Sequence, residues 1–318
     1  MSVYTLLDAS DILSFLDGYV LPPLGSFTPI KGGIENSNYF VELVDGRELV
    51  LTLFEELKAG EALFLGPLLD HLEAGGVPVA TPLQDRAGRY LGELRGKPAQ
   101  LAPRLPGRHP EAPGPDQCRA MGATLAHLHV TLRDYPLDRP NTHGAAWWES
   151  LARRWQPQLS IGEGELLGRL LDRHADICAR HPGLPRGLIH GDLFRDNTLF
   201  MADAVTAVLD FSETGQDYWL LDIAITANDF CRQWPSSTPD AQRRAAFLAG
   251  YESARPLTGA ERAALPVFLA VAAMRFWLSR LDINARNRAE QRGGEHVLEK
   301  DPGEMRELAR TLLTEAGG

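Results

Sequence analysis

The segment Gly187-Leu188-Ile189-His190-Gly191-Asp192-Leu193-Phe194-Arg195-Asp196-Asn197-Thr198-Leu199-Phe200 decides how the rest of this chain is read. An apolar, strand-like run, Gly187 to Ile189, leads into the polar stretch, and a second, Thr198-Leu199-Phe200, leaves it. A turn-like Met201-Ala202-Asp203-Ala204 feeds a third run, Val205 to Leu209, which ends on Asp210-Phe211. His-x-Asp-x4-Asn, with Asp-Phe following a strand pair, is the spacing of a kinase catalytic loop and its metal site. One small hairpin is expected to deliver Asp192, Asn197 and Asp210 together. A polar turn would explain a single Asp or Asn, since both bond to nearby backbone. It does not explain a His, an Asp, an Asn and an Asp-Phe at these offsets. His190 is expected to hydrogen-bond within the loop, and Phe211 to pack in the core.

Phosphoryl transfer needs these residue types because it is mainly positioning and charge neutralisation. A carboxylate, Asp192, would meet the acceptor hydroxyl and take its proton. An amide oxygen and a second carboxylate, Asn197 and Asp210, would hold Mg²⁺, a cation that prefers oxygen ligands and keeps several waters.

Working outward, Asp8 to Leu16 reads as a short helix. Tyr39 to Val44 alternates like a strand, Asp45-Gly46 is a hairpin signal, and Glu48 to Phe54 is the return strand. The loop Lys31-Gly32-Gly33-Ile34-Glu35-Asn36-Ser37-Asn38 precedes them. Such a loop can lie over nucleotide phosphates, so Gly32, Gly33, Asn36, Ser37 and Asn38 are candidate ATP contacts, with Thr52 on the return strand. Ala62 to Leu72 has helical spacing, with a kink or restart at Gly66-Pro67. Val77 to Leu83 and Tyr90 to Leu94 are expected to complete the sheet. Pro98 to Leu105 reads as the connection between lobes, where adenine would bond to backbone near Gln100. The Pro/Gly-rich stretch Pro103 to Pro115 marks the boundary, giving an N-lobe of 1–102 and a C-lobe of 103–318. Helices are expected over Asp116 to Leu132, around Trp147-Trp148 and Trp155, and over Glu165 to Ala179, Tyr218 to Cys231, Pro239 to Ser253 and Gly259 to Leu281. The fold class is therefore α+β, with a small antiparallel sheet followed by a mostly helical lobe.

A chain of 318 residues with a net charge of −10 can bury two cores and lacks the basic face that a nucleic-acid partner requires. Its three cysteines, Cys118, Cys178 and Cys231, show no metal-ligand spacing and read as reduced, in a cytoplasmic protein. The N-terminus has no signal-peptide pattern. The strongest apolar stretch, Ala263 to Ala273, is interrupted by Pro266 and reads as too short for a membrane span. No obligate protein partner is evident.

With these residues in view, the whole chain resembles the aminoglycoside-phosphotransferase-like kinases, which have a bilobal protein-kinase-like fold. The resemblance rests on Gly33-Ile34-Glu35-Asn36, Leu125-Ala126-His127-Leu128-His129, His190-Gly191-Asp192 to Asn197, Asp210-Phe211 and Asp222-Ile223-Ala224. It looks most like the homoserine kinases built on this fold. The closer marks are Glu35 to Phe40, Leu51-Thr52-Leu53-Phe54-Glu55, Asp192 to Asn197, Ala224 to Asp229, Arg275 to Leu281 and Lys300-Asp301-Pro302. That likeness implies ATP- and Mg²⁺-dependent phosphorylation of the L-homoserine hydroxyl for threonine biosynthesis. Asp192 would be the base, Asn197 and Asp210 the metal ligands, and Asp222 a brace for the catalytic loop. The chain departs from the usual pattern at Thr52, where most such kinases carry a Lys or Arg, so phosphate charge would fall to Mg²⁺, backbone N–H groups, or Lys31 or Lys58. A kinase of methylthioribose, choline or aminoglycosides, or a non-catalytic nucleotide-binding module, are the alternatives.

Homoserine carries an ammonium and a carboxylate. Arginine is the natural carboxylate clamp because its fork binds both oxygens, and Arg195, Arg275 and Arg280 are candidates beside Asp192. Asp196, Asp217 and Asp229 are candidates for the ammonium.

Overall fold

The computed structural model describes residues 5–30, 36–289 and 300–316. They form two compact units, one ending at Pro106 and the other beginning at Gly107.

The first unit is a five-stranded antiparallel sheet in the order β1 (Leu24–Pro29), β2 (Asn36–Leu43), β3 (Glu48–Phe54), β5 (Lys97–Pro103), β4 (Gly92–Leu94). Period-two alternation puts Tyr39, Val41, Leu49, Leu51, Leu53, Ala99 and Leu101 on one buried face. The helix α1 (Ala9–Leu16) closes that face with Ile12, Phe15 and Leu16. Asp8 caps α1 by accepting from the Asp11 N–H at 3.0 Å, and Asp11 returns the bond to the Asp8 N–H. The expected helix over 62–72 is two helices, α2 (Ala59–Ala62) and α3 (Leu65–Ala74). The break falls at Leu63-Phe64, because Pro67 sits in the first turn of α3, where a missing N–H costs nothing.

Two strand expectations differ. Val77 to Leu83 lies outside the strands of the sheet, and only Gly92–Leu94 of the Tyr90–Leu94 segment pairs. The expected inter-lobe connection from Pro98 is instead β5, an interior strand paired with both β3 and β4. Its buried Ala99, Leu101 and Ala102 gain more by packing than two prolines cost, since Pro98 lies beside the short edge strand and Pro103 ends the ladder.

The second unit is mostly helical. Its helices are α4 (Pro115–Thr131), α5 (Ala145–Trp155), α6 (Ile161–Arg180), α7 (Trp219–Phe230), α8 (Ala241–Ala254), α9 (Gly259–Ala289) and α10 (Pro302–Glu315). The α4 and α8 backbones meet through glycines. A Cβ on Gly122 would lie 2.0 Å from the Phe247 carbonyl oxygen, and one on Gly250 would lie 2.0 Å from that of Arg119. Pro266 does not interrupt α9, which runs through it for 31 residues. The lost N–H costs up to about 3 kcal/mol, and burial of Ala264, Leu265 and the 267–275 stretch offsets it. By length and composition α9 could cross a bilayer, yet 78% of its apolar window is buried inside the protein. The sequence reading had no α10. It packs on α9 through Met305, Leu308, Ala309, Leu312 and Leu313.

Two small ladders complete this unit. β6 (Arg186–Ile189) pairs with β9 (Gly215–Tyr218), and β7 (Thr198–Met201) pairs with β8 (Ala204–Val208). The polar loop leaves β6 and enters β7, so it links two ladders rather than lying in one hairpin.

Candidate active site

The loop after β6 is shaped by its own hydrogen bonds. Gly191 has φ +82°, a conformation costly to any residue with a Cβ. His190 accepts the Asp192 N–H at Nδ1 (3.3 Å) and, through Nε2, meets the Leu209 carbonyl at 2.9 Å. One imidazole thus ties the loop to the end of β8, and its ring lies 4.7 Å from that of buried Phe211. Both expectations for these residues hold.

Asn197 closes a single 3₁₀ turn, Arg195–Asn197. Its Nδ2 donates to the Asp192 carbonyl at 2.8 Å and to Asp192 Oδ2 at 3.2 Å. Its amide oxygen has no hydrogen bond among the described residues. The Leu209 N–H donates to the Asn197 carbonyl at 2.9 Å, which sets Asp210 beside it. Asp210 is exposed, with φ +57°, and its Oδ1 accepts from the Ser212 hydroxyl at 2.6 Å and the Ser212 N–H at 3.2 Å. Asp tolerates this left-handed backbone at a cost of about 1 kcal/mol or more. Asp192 is tied to Asn197 by that side-chain amide, and Asp210 follows Leu209, whose N–H meets the Asn197 carbonyl and whose carbonyl meets the His190 ring.

The loop is held from beneath by α7. Asp222, fully buried, accepts from the His190 N–H (2.8 Å), the Gly191 N–H (2.9 Å) and His129 Nε2 (3.0 Å). Burial alone would raise its carboxyl, but these bonds hold it below the ordinary range, so it stays ionised. Burial pushes His129 down, leaving it neutral, with Nδ1 2.8 Å from the Tyr251 hydroxyl. Two turns further along α7, Asp229 accepts the Arg195 N–H at 2.8 Å. Asp222 and Asp229, seven residues apart on one helix face, therefore pin the two ends of the loop. The Asp222 brace is as expected. The roles of Asp229 and His129 were missed, although the Asp-x6-Asp spacing on a helix was visible.

The substrate candidates scatter. Arg275 is buried and donates from Nη1 to the Gly191 carbonyl at 2.6 Å. Burial pulls its guanidinium down against the opposing charges of Asp192, then Glu213. Arg280 instead pairs with Glu304 at 2.7 Å and the Asp301 carbonyl at 2.8 Å, joining α9 to α10. Arg195 lies over the Trp234 ring, 3.2 Å from its centroid, and donates to the Glu111 carbonyl. Buried Asp217 is taken up by Asn141 Nδ2 (2.8 Å) and the Tyr218 N–H (2.7 Å). Asp196 is exposed and pairs with Lys300 at 3.5 Å.

In the first unit, Asn38, Thr52 and Gln100 are register partners across β2, β3 and β5, on the sheet face opposite the core. Thr52 Oγ1 donates to Asn38 Oδ1 at 2.7 Å. Asn36 opens the same strand. Ser37 does not belong with them: strand alternation turns it into the core, where it bonds Glu55 and the Thr5 N–H. Gly32, Gly33 and Lys31 lie outside the described residues.

The family profile described as "Phosphotransferase enzyme family" matches residues 26–257. The chain is 43% identical to a homoserine kinase of Methylobacillus flagellatus, over 89% of this chain and 87% of that one. It is 41% identical to one of Pseudomonas aeruginosa, over 96% and 94%. Among solved structures, an amicoumacin kinase in complex with AMP-PNP, Ca²⁺ and its ligand superposes with a TM-score of 0.69 at 18% identity, over 97% and 94% of the two chains. A spectinomycin phosphotransferase with ADP and spectinomycin superposes with a TM-score of 0.65 at 14% identity, over 97% and 99%.

Proposed function

The chain belongs to the phosphotransferase enzyme family and, within it, to the homoserine kinases, and on that premise we propose how its residues phosphorylate L-homoserine. It is a kinase, and its product is O-phospho-L-homoserine. Asp192 accepts the proton of the homoserine hydroxyl as that oxygen attacks the γ-phosphorus of ATP. The bond from that phosphorus to the β,γ-bridging oxygen breaks, and ADP departs with the electron pair. Asn197 fixes the Asp192 carboxylate through Nδ2, which holds the base in line for attack.

The donor set fits Mg²⁺: an amide oxygen on Asn197 without a hydrogen bond among the described residues, and an exposed carboxylate on Asp210 held in a left-handed turn. One or two carboxylates with waters suffice for this ion, which would neutralise charge on the transferring phosphoryl group. Asn36, Asn38, Thr52 and Gln100 are the nucleotide-side residues in this reading. Arg275 serves the homoserine carboxylate. Its guanidinium has five donors, the residue is 3% exposed, and its one hydrogen bond among the described residues is to the Gly191 carbonyl. A buried cation so placed favours an anionic ligand. Cytoplasmic placement and a step in threonine biosynthesis belong to the same reading.

The observation that carries this reading is the contact of Asn197 with Asp192, with Asp210 tied to it by the Leu209 N–H. A coupled ADP-release assay with Mg²⁺-ATP and a panel of alcohols tests it. L-Homoserine is expected to turn over fastest, and Asp192→Ala to lower kcat by about 10²- to 10⁴-fold with the ATP KM unchanged. Faster turnover of choline or an aminoglycoside would displace homoserine as the acceptor.

A further inference from the structure

We propose that Glu213 binds the ammonium group of the acceptor, so that Glu213 and Arg275 together recognise an α-amino acid by both of its charges. The proposal rests on the homoserine reading and deepens it.

Glu213 lies against the catalytic loop. A Cβ placed on Gly191 would be 3.0 Å from the Glu213 carbonyl oxygen and 3.5 Å from its Cβ. Asp192 and Glu213 are the two strongest opposing charges on the Arg275 guanidinium. In homoserine the hydroxyl oxygen and Cα are three bonds apart, roughly 4 Å. The base, the guanidinium and the backbone and Cβ of Glu213 meet at one glycine, and the Glu213 carboxylate is the next charge after Asp192 to act on that guanidinium. That arrangement suits a substrate that short.

Most of the neighbouring carboxylates are committed to loop backbone or to buried partners, and the exposed Asp196 has no hydrogen bond or ion pair with Arg275 or Gly191 among the described residues. Asp222 and Asp229 hold loop N–H groups, Asp217 is buried under Asn141, Asp196 faces Lys300, and Asp210 holds Ser212. Glu213 differs. Its side chain keeps 25% exposure, and its one hydrogen-bonding partner among the described residues is His143, itself 32% exposed. The His143 ring stands edge-on to Trp147, with centroids 4.5 Å apart. Burial would raise the Glu213 carboxyl, but the His143 bond and the charges of His143, Arg275 and Arg139 hold it below the ordinary range. It is therefore an ionised, reachable carboxylate with oxygen lone pairs to spare, and it can accept an ammonium alongside or in place of the imidazole.

The test uses the full chain with Mg²⁺-ATP and two acceptors, L-homoserine and 4-hydroxybutyrate. The second keeps the hydroxyl and carboxylate and lacks the ammonium; where it does not turn over, its inhibition constant against homoserine is read instead. Glu213→Gln is expected to raise the homoserine KM by about 10- to 100-fold, the loss of one charge-assisted hydrogen bond. The ATP KM and the 4-hydroxybutyrate constant stay unchanged. Glu213→Asp keeps the charge on a shorter arm and gives an intermediate KM for homoserine alone, which serves if the Gln variant does not fold. An unchanged preference for homoserine over 4-hydroxybutyrate in both variants overturns the proposal. So does an equal loss for both acceptors with a raised ATP KM, which would put Glu213 on the metal side with Asp210. A wild-type enzyme that ignores homoserine overturns the acceptor assignment itself, a separate result.

Discussion

Asp222→Asn replaces a carboxylate that serves three donors by an amide that cannot. Oδ1 accepts from the Gly191 N–H, and Oδ2 from the His190 N–H and His129 Nε2. Whichever way the amide is turned, its NH₂ faces at least one donor. In the less costly orientation the Gly191 N–H is left buried and unbonded, at about 1–3 kcal/mol. The two surviving bonds change from charge-assisted to neutral, each weaker by about 1 kcal/mol. The total is about 3–5 kcal/mol. Two of the three bonds are to His190 and Gly191, immediately before Asp192, so most of the loss loosens the loop where the base must be held. Even half of that loss in the transition state lowers kcat by about 10- to 100-fold. The assays are ADP release at saturating homoserine and Mg²⁺-ATP, and urea unfolding of the same samples. A lower kcat with near-normal KM values is expected, together with reduced stability. Wild-type kcat and unfolding free energy in this variant would refute the bracing role.

Asp210→Ala is expected to abolish stimulation by Mg²⁺ concentrations that saturate the wild type; equal wild-type activity without any added divalent metal would remove the metal assignment. Gly191→Ala puts a Cβ at φ +82° and 3.0 Å from the Glu213 carbonyl. It should cost about 1–2 kcal/mol of stability and lower kcat, as measured by thermal unfolding and turnover. Burial holds both His129 and His174 below the ordinary value of 6.5. The unfolded chain protonates them near 6.5 and the folded chain only at lower pH. Their contribution is therefore complete above 6.5 and is lost as pH falls toward the folded values. Each adds a slope of up to about 1.4 kcal/mol per pH unit just below 6.5. Denaturant unfolding across that range should show the slope, and His129→Gln should make it shallower.

The sequence by itself determined the spacing of the candidate site. His190, Asp192, Asn197 and Asp210 stand at offsets set by local geometry, a tight loop and short strands, and local geometry is what residue spacing encodes. The same holds for α1 with its Asp8 cap, for the β2–β3 hairpin at Asp45-Gly46 and for the long helices, whose apolar periods are read directly. The α10 helix was missed, although the Asp301-Pro302 cap and the spacing of Met305, Leu308, Ala309, Leu312 and Leu313 carry its signal. Only the tertiary structure decided the rest. β6 pairs with β9 rather than entering the β7–β8 hairpin, and Lys97–Pro103 is an interior strand rather than a linker, because strand pairing depends on partners distant in sequence. Charged residues were the least legible. Arg275 stands at the catalytic loop while Arg280, five residues on, joins two helices. Asp229 braces backbone, Asp217 is buried under Asn141, and Glu213 meets His143 from 70 residues away. A charge takes its role from the partner it meets and the water it loses, and neither is written in its neighbours along the chain.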